Sequence, residues 1–304
     1  MDSATTLSFP WNVEETMQPS RFISSIILLA ALLAGPAWAQ QRMRLGDNAA
    51  LRYWAASAQM QDSTPGDEQA KELGLILDGT TPYEDSKYKD LIEKNRPALE
   101  TMARGTKLPN CDWGVEYRLG SDAPVDYVRK ALALGRLNIL YAFHLSITGD
   151  KDGAVSALAA GLRFSQDVAN DGTLFATVAA KNLLVAHLRA AVGLVRVAQL
   201  STPQKLVLQK AVARLGPDGL DWQGAVKREL AIPLGLDASA SAAIAKVVPA
   251  YVAVLTDASG LPRLEQMRAS APPPLPDVIP DPRRVLAEKQ DLENRLRLTL
   301  PLLQ

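Results

Sequence analysis

Apolar residues recur at helical spacing through most of this chain, and this pattern restricts its fold more than any other feature. Leu51, Trp54, Ala55 and Ala58, for example, fall at positions i, i+3, i+4 and i+7 after Asp47, a residue type that caps helices. No segment shows the alternation of apolar and polar residues that is typical of a strand. We therefore predict an all-α protein, built from antiparallel helical hairpins that stack as a short solenoid or an irregular bundle.

Pro residues set several expected boundaries of these helices. We expect residues 40–270 to form one all-α domain, in which Pro97 kinks or restarts the helix that begins near Glu84. Pro233 and Pro249 are expected to interrupt the helices between residues 220 and 256 in the same way.

A Pro-rich segment closes the predicted domain. Residues 271–282 read APPPLPDVIPDP, a composition that favours an extended, polyproline-like strap or linker over a helix. A charged segment at residues 283–304 follows, and we expect it to form a C-terminal helix that is capped by Asp281 and Pro282.

The first 39 residues carry the pattern of a secretory signal peptide. Residues 22–33 are a short apolar run preceded by Arg21, and Gly35-Pro36 then leads into the small-residue triplet Ala37-Trp38-Ala39. This arrangement predicts cleavage after Ala39 and export to the periplasm or the medium. An uncleaved membrane anchor and a buried N-terminal helix are the alternatives.

The residues before the apolar run carry acids and no base, which is the wrong charge for the start of a signal peptide. We therefore expect translation to begin at Met17, so that residues 1–16 are an extension that is not translated.

The charge balance excludes several classes of function. The chain has 33 Lys and Arg residues against 33 Asp and Glu. Removal of residues 1–39 takes away three acids and one base, which leaves a mature chain near +2. Such a chain has no overall electrostatic attraction for nucleic acid.

A single cysteine and two histidines leave few residues for a disulfide framework or a metal site.

The segment over residues 135–170 resembles the paired helices of a tetratricopeptide repeat. Its small and large apolar residues follow the order of that repeat, in Leu140-Tyr141-Ala142, the turn Thr148-Gly149-Asp150, and then Ala154, Leu158 and Gly161. The resemblance covers one repeat and implies stacked helical hairpins, a fold that commonly binds other proteins along a concave face.

Three residues could take part in catalysis if the fold brought them together. His187 falls on the apolar face of its helix, where we expect a packed, hydrogen-bonded histidine, and His144 lies on the helix over residues 124–148. Cys111 could act as a nucleophile beside one of them. No catalytic or metal-binding motif surrounds these residues, so we nominate no catalytic residue, metal or cofactor.

The sequence Cys111-Asp112-Trp113-Gly114 is the most distinctive local motif. We interpret it as a structural loop in which Trp113 is an apolar plug and Cys111 is small and buried. Asp112 would cap a turn, and Gly114 would take a positive φ.

Lys181, Arg189 and Arg196 form a basic stripe on the helix over residues 173–199. Such a stripe is usually a solvated face, and its alternative is a contact with an anion or an acidic peptide.

These observations together predict an exported bacterial helical protein that binds another envelope or secreted protein through a groove between stacked helices. They predict no nucleic-acid partner and no stable membrane span after signal cleavage. The alternatives are an envelope hydrolase with a site assembled around His144, His187 or Cys111, and a carrier of an apolar ligand.

Overall fold

A computed structural model describes residues 45–61, 67–123, 125–232 and 238–304. The expected start at Met17 and the cleavage site after Ala39 lie outside the described residues, as does Pro233. The described residues confirm the all-α class, because their regular structure is helical and their one pairing of extended backbone is an isolated bridge between Asn48 and Asn110.

The α-helices follow one another along the chain with short connections. They are α1 (Ala49–Gln59), α2 (Asp67–Leu77), α3 (Asp85–Gly105), α4 (Asp126–Ile147), α5 (Lys151–Ala169), α6 (Leu174–Val197), α7 (Thr202–Ala213), α8 (Trp222–Ala231), α9 (Ala238–Thr256), α10 (Leu261–Ala269), α11 (Leu275–Val278) and α12 (Pro282–Leu302).

Side-chain caps explain where several helices begin. The carboxylate of Asp150 accepts a hydrogen bond of 2.8 Å from the Gly153 amide at the start of α5, and Asp221 caps α8 through the Gly224 amide in the same way. Ser201 and Gln204 form a reciprocal capping box at the start of α7. These caps satisfy amides that the first helical turn leaves without a partner.

Helices α3, α5 and α7 run in one direction, and α4 and α6 run in the other. The short turn between α4 and α5 reverses the chain, with Gly149 at φ +92°. Asp85 at the start of α3 contacts His144 near the end of α4, so these two helices are antiparallel. Gln204 near the start of α7 donates a 2.8 Å hydrogen bond to Asp152 near the start of α5, so α7 is parallel to α5.

The core lies between α4, α5 and α6, which pack against one another along their lengths. Helices α1 and α3 cover one side of this core, while α7, α8 and α12 cover the other. Ala142, Ala154 and Leu158 of the hairpin formed by α4 and α5 are fully buried. The hairpin is therefore present, whereas the finer prediction of a tetratricopeptide-like solenoid is not confirmed.

Neither Pro97 nor Pro249 ends a helix or starts a new one. Helix α3 is continuous from Asp85 to Gly105 with Pro97 inside it, and α9 continues through Pro249. A proline inside a helix removes one N–H from the helical ladder, and its ring crowds the carbonyl four residues earlier. In α3 the loss is offset because Ala98, Leu99 and Met102, which follow Pro97, are buried in the core.

The Pro-rich segment is also more compact than we predicted. It is not extended throughout, because residues Leu275–Val278 form the single helical turn α11. Leu275 and Ile279 lie four residues apart and are both buried, so one face of this turn packs on the core. The backbone carbonyls of Ile279 and Pro280 accept hydrogen bonds from Arg268 and Tyr251, which hold the segment against α9 and α10.

Candidate functional site

A groove of about 800 Å³ runs along one side of α5, between α3 and α7. Helix α4 closes part of its floor through Asn138, Tyr141 and Leu145. We call it the α5 groove. Its volume is within the range of about 300–1,000 Å³ that is typical of ligand sites in proteins.

The floor of the α5 groove is made of small side chains. Gly153, Ser156, Ala157 and Ala160 follow one another at helical spacing on the face of α5 that lines it. Small side chains keep the surface of the helix close to its backbone, so that another chain can approach it closely. The floor is therefore shallow and smooth, and it ends at two larger polar residues, Arg163 and Gln166.

The walls of the groove mix apolar and charged side chains. Helix α3 contributes Leu99 and Glu100 on one side, and α7 contributes Val207 and Lys210 on the other. Val207 is 44% exposed. The α7 wall therefore offers a bound ligand both apolar surface and charge.

Charge is distributed unevenly from one end of the groove to the other. Its bases belong to the later parts of the three parallel helices or directly follow them: Lys107, Arg163, Lys210 and Arg214. Asp150 lies at the opposite end, where it caps α5. Because α3, α5 and α7 run in the same direction, their bases collect at one end of the groove.

Asp167 anchors the basic end of the groove to the rest of the fold. Its carboxylate accepts hydrogen bonds from the Arg163 guanidinium at 2.9 Å and from the Tyr53 hydroxyl at 2.6 Å. Burial raises the pKa of Asp167, and these two hydrogen bonds act in the opposite direction. Arg163 is consequently held in place by a buried partner, while its side chain remains 41% exposed to the groove.

The backbone carbonyl of Asp167 also contacts two side chains of the loop of residues 111–114. It accepts a hydrogen bond of 2.8 Å from the Trp113 indole and a contact of 3.5 Å from the Cys111 thiol. The Trp113 ring stacks on Tyr127 with a centroid distance of 4.5 Å. Trp113 therefore fills the space between α1, α4 and α5 with an apolar ring whose N–H is satisfied.

The other two residues of this loop shape its turn. The Asp112 carboxylate accepts a 2.8 Å hydrogen bond from the Gly114 amide, and Gly114 has φ +68°. Asn48 exchanges two hydrogen bonds with the backbone of Asp112 and so ties the loop to the start of α1. Glycine is favoured at such a φ because it has no Cβ.

Cys111 is poorly suited to act as a nucleophile in this position. It is 3% exposed, and burial together with the charge of Asp167 raises the pKa of its thiol well above the usual range. The thiolate is the reactive form of cysteine, so the site suppresses its chemistry.

His187 is fully buried in a closed set of hydrogen bonds. Its Nδ1 lies 3.0 Å from the Leu183 carbonyl and 3.1 Å from the Ser165 hydroxyl oxygen. Its Nε2 lies 3.3 Å from the Asn138 amide nitrogen. Because a carbonyl can only accept, Nδ1 carries the proton and Nε2 accepts from Asn138. Burial lowers the pKa of His187 to about 4, so the ring is neutral at pH 7.

His144 lies in a different environment, next to two carboxylates of α3. Its Nδ1 is 2.8 Å from Asp85, and its Nε2 is 3.6 Å from Glu93. The Tyr83 hydroxyl donates to the same Asp85 oxygen at 3.1 Å. Both acids that contact His144 therefore come from α3.

The structure does not bring together the three residues around which the alternative hydrolase site would be assembled. His144 contacts α3, His187 contacts Asn138 and Ser165, and Cys111 contacts Asp167. No hydrogen bond or ion pair among the described residues joins any two of them. The described residues also contain no group of three or more His, Cys, Asp and Glu side chains that could hold a metal ion.

The basic stripe on α6 is only partly solvated. Lys181 is buried and bonds to Glu288 at 2.8 Å and Asp291 at 2.5 Å, both on α12. Arg189 forms an ion pair with Asp78 at the end of α2, and Arg196 is exposed. Lys181 thus joins two helices of the fold and is not available to bind a partner.

Two described helices, at Leu174–Val197 and Ser239–Thr256, are long and apolar enough to cross a membrane. The first of them is the central helix α6, which other helices surround, and such a core helix meets the same criteria of length and composition.

Sequence reasoning did not identify the residues of the α5 groove. Ser156, Ala160 and Lys210 are common residues on amphipathic helices, and nothing in their local spacing distinguishes a groove floor from an ordinary solvated face. The site is formed only when α3 and α7 lie on either side of α5. Comparison with known proteins found no matching family model, no similar curated protein and no similar solved structure.

Proposed function

We propose that the chain is an exported protein that binds a segment of another envelope or secreted protein in the α5 groove. The observation that carries this proposal is the groove itself, in which a floor of small side chains lies between two walls of mixed polarity. A polypeptide segment combines apolar side chains, backbone and charge, and all three have counterparts in this groove.

The charges of the groove favour a segment with an acidic end. Lys107, Arg163, Lys210 and Arg214 would face its carboxylates, and Arg163 is already oriented by Asp167. A guanidinium that is held in place loses less conformational freedom when it binds a carboxylate. Electrostatic complementarity of this kind mainly contributes to specificity and to the rate of association.

An envelope hydrolase is less well supported by the same geometry. The three residues of that alternative site are in separate environments. His187 and Cys111 are engaged in buried contacts with backbone carbonyls, and the Cys111 thiol is held in its unreactive form. The α5 groove is also less suited to an apolar ligand, because it has exposed charged residues on both walls.

Site-specific photo-crosslinking in cells that export the chain tests the proposal. A photoreactive residue at position 210, on the wall of the groove, is expected to give a discrete adduct with a partner protein. The same residue at position 227, an exposed lysine position on α8 outside the groove, serves as the matched control and is expected to give none.

Two further variants determine whether the adduct reports the groove. Ser156→Trp should fill the floor and reduce the adduct at position 210 at least about fivefold, because Ser156 is exposed there and the larger ring occupies the space of the partner. Arg214→Glu should also reduce it, and Lys227→Glu should not. Equal adducts at positions 210 and 227, or an adduct that persists in Ser156→Trp, would contradict the proposal.

A further inference from the structure

A second pocket lies on another side of the core, where α12 packs along α6. The two helices run in the same direction, because Lys181 in the first half of α6 bonds to Glu288 and Asp291 in the first half of α12. A pocket of about 350 Å³ opens between their later turns. We call it the α6–α12 pocket, and it shares no lining residue with the α5 groove.

Part of the lining of this pocket is apolar and borders open space. Apart from Gly193, its two chain neighbours and the nearby backbone of α6, no heavy atom of the described residues lies within 4 Å of the position that a Cβ on Gly193 would take. Val192 lines the α6 side, and Leu298 and Leu302 line the α12 side. These two leucines are one turn apart and are 62% and 48% exposed, so a continuous apolar strip borders the open space.

The pocket also carries an excess of positive charge. Arg189, Arg196 and Arg295 line it together with one acid, Asp78, which is paired with Arg189. Arg295 shares its acidic partner, Asp291, with Lys181. Arg196 has no ion pair with any residue in the described ranges. Burial and the nearby charge of Arg295 both lower the pKa of Arg189, which indicates that guanidinium groups are close together here.

We infer that the α6–α12 pocket binds a single-chain amphiphile with an anionic head group. Arg196 and Arg295 would bind the head, whether it is a carboxylate or a phosphate, because guanidinium groups match both. The chain would lie over Gly193 against Val192, Leu298 and Leu302. A volume of 350 Å³ is near the lower end of the range for ligand sites, which fits one alkyl chain better than two.

Calorimetric titration of the full chain with dodecyl compounds, each below its critical micelle concentration, tests the inference. Dodecanoate and dodecyl phosphate are both expected to bind at one molecule per chain, and their relative affinity identifies the preferred head group. Dodecyl maltoside, which lacks the charge, and inorganic phosphate, which lacks the chain, are expected to bind at least about tenfold more weakly. Equal binding of the maltoside, equal binding of inorganic phosphate, or no saturable binding of either anion would overturn the inference.

Variants of the pocket locate the binding. Arg196→Gln should weaken the binding of dodecyl phosphate about tenfold, and Gly193→Leu should weaken it by filling the open space. Arg297→Gln is the matched control, since Arg297 is exposed on α12, the other helix that borders the pocket, but does not line the pocket itself. Circular dichroism checks that each variant keeps its helical content. An equal loss in Arg297→Gln, or no loss in Arg196→Gln, would show that the amphiphile binds elsewhere and would overturn the assignment.

Discussion

Helix α6 packs against α5 and against α12 in opposite ways. On the α5 side, a Cβ added to Gly161 would lie 2.2 Å from the His187 ring and 2.6 Å from the Asn138 amide nitrogen. On the α12 side, a Cβ added to Gly193 would meet no heavy atom of the described residues within 4 Å, apart from its chain neighbours and the nearby backbone of α6. A glycine inside a helix thus has one of two different structural roles in this molecule. At Gly161 it permits close packing, and at Gly193 it leaves space that a ligand can use.

On the close-packed side, the largest change in stability that we expect is the one caused by lowering the pH. Burial lowers the pKa of His187 to about 4, compared with about 6.5 in the unfolded chain, so folding favours the neutral ring. The stability that this provides is fully present above pH 6.5 and is lost as the pH falls towards 4. We expect His187 to account for about 3 kcal/mol of the loss in unfolding free energy between pH 7 and pH 4.

Urea titration of the wild type and of His187→Gln at both pH values separates this contribution from that of the carboxylates. The variant is expected to be less stable at pH 7, because it loses the fit to Asn138 and Ser165, and to lose about 3 kcal/mol less on acidification. The same acid loss in both chains would mean that His187 is not held neutral by burial.

Gly161→Ala tests the packing of this side directly. The added methyl group must displace the His187 ring or the Asn138 side chain, and both are fixed by hydrogen bonds. We expect a destabilisation of about 2 kcal/mol, measured as a lower urea midpoint with an unchanged slope. A neutral effect would show that the contact between α5 and α6 is looser than the structure indicates.

A glycine-to-alanine substitution on the open side is expected to change the unfolding free energy least, and to raise it. Gly193→Ala adds a methyl group to an open position and removes a flexible residue from the interior of a helix. We expect a gain of about 0.5–1 kcal/mol in unfolding free energy by the same titration. A loss of stability would contradict the open space between α6 and α12, and with it the comparison drawn between the two sides.

Helical periodicity was sufficient to predict the fold class and the burial of one histidine. The angular position of His187 on its helix placed it among apolar residues, and the structure shows it fully buried. Periodicity was less informative about prolines. It gave no means of weighing the missing N–H of Pro97 against the burial of Leu99 and Met102, which together keep α3 continuous.

The basic stripe and the groove were beyond such reasoning, because both depend on residues that are distant in the sequence. The angle of Lys181 identified a face of α6, yet the acids that pair with it lie more than a hundred residues later, on α12. The α5 groove likewise combines α3, α5 and α7, and its floor residues have no local property that marks them. A local pattern assigns a residue to a face of its helix, but only the packing of the chain determines what that face meets.

The buried position of Cys111 makes this residue a natural reporter of local opening. The chain has one cysteine, so any reaction of the folded protein with a thiol reagent comes from the loop of residues 111–114. Because the reagent needs an accessible thiolate, the labelling rate measures how often this loop separates from Asp167 and α5. In an oxidising compartment, the packing of this loop against α5 also limits how often two chains become linked by a disulfide between their cysteines.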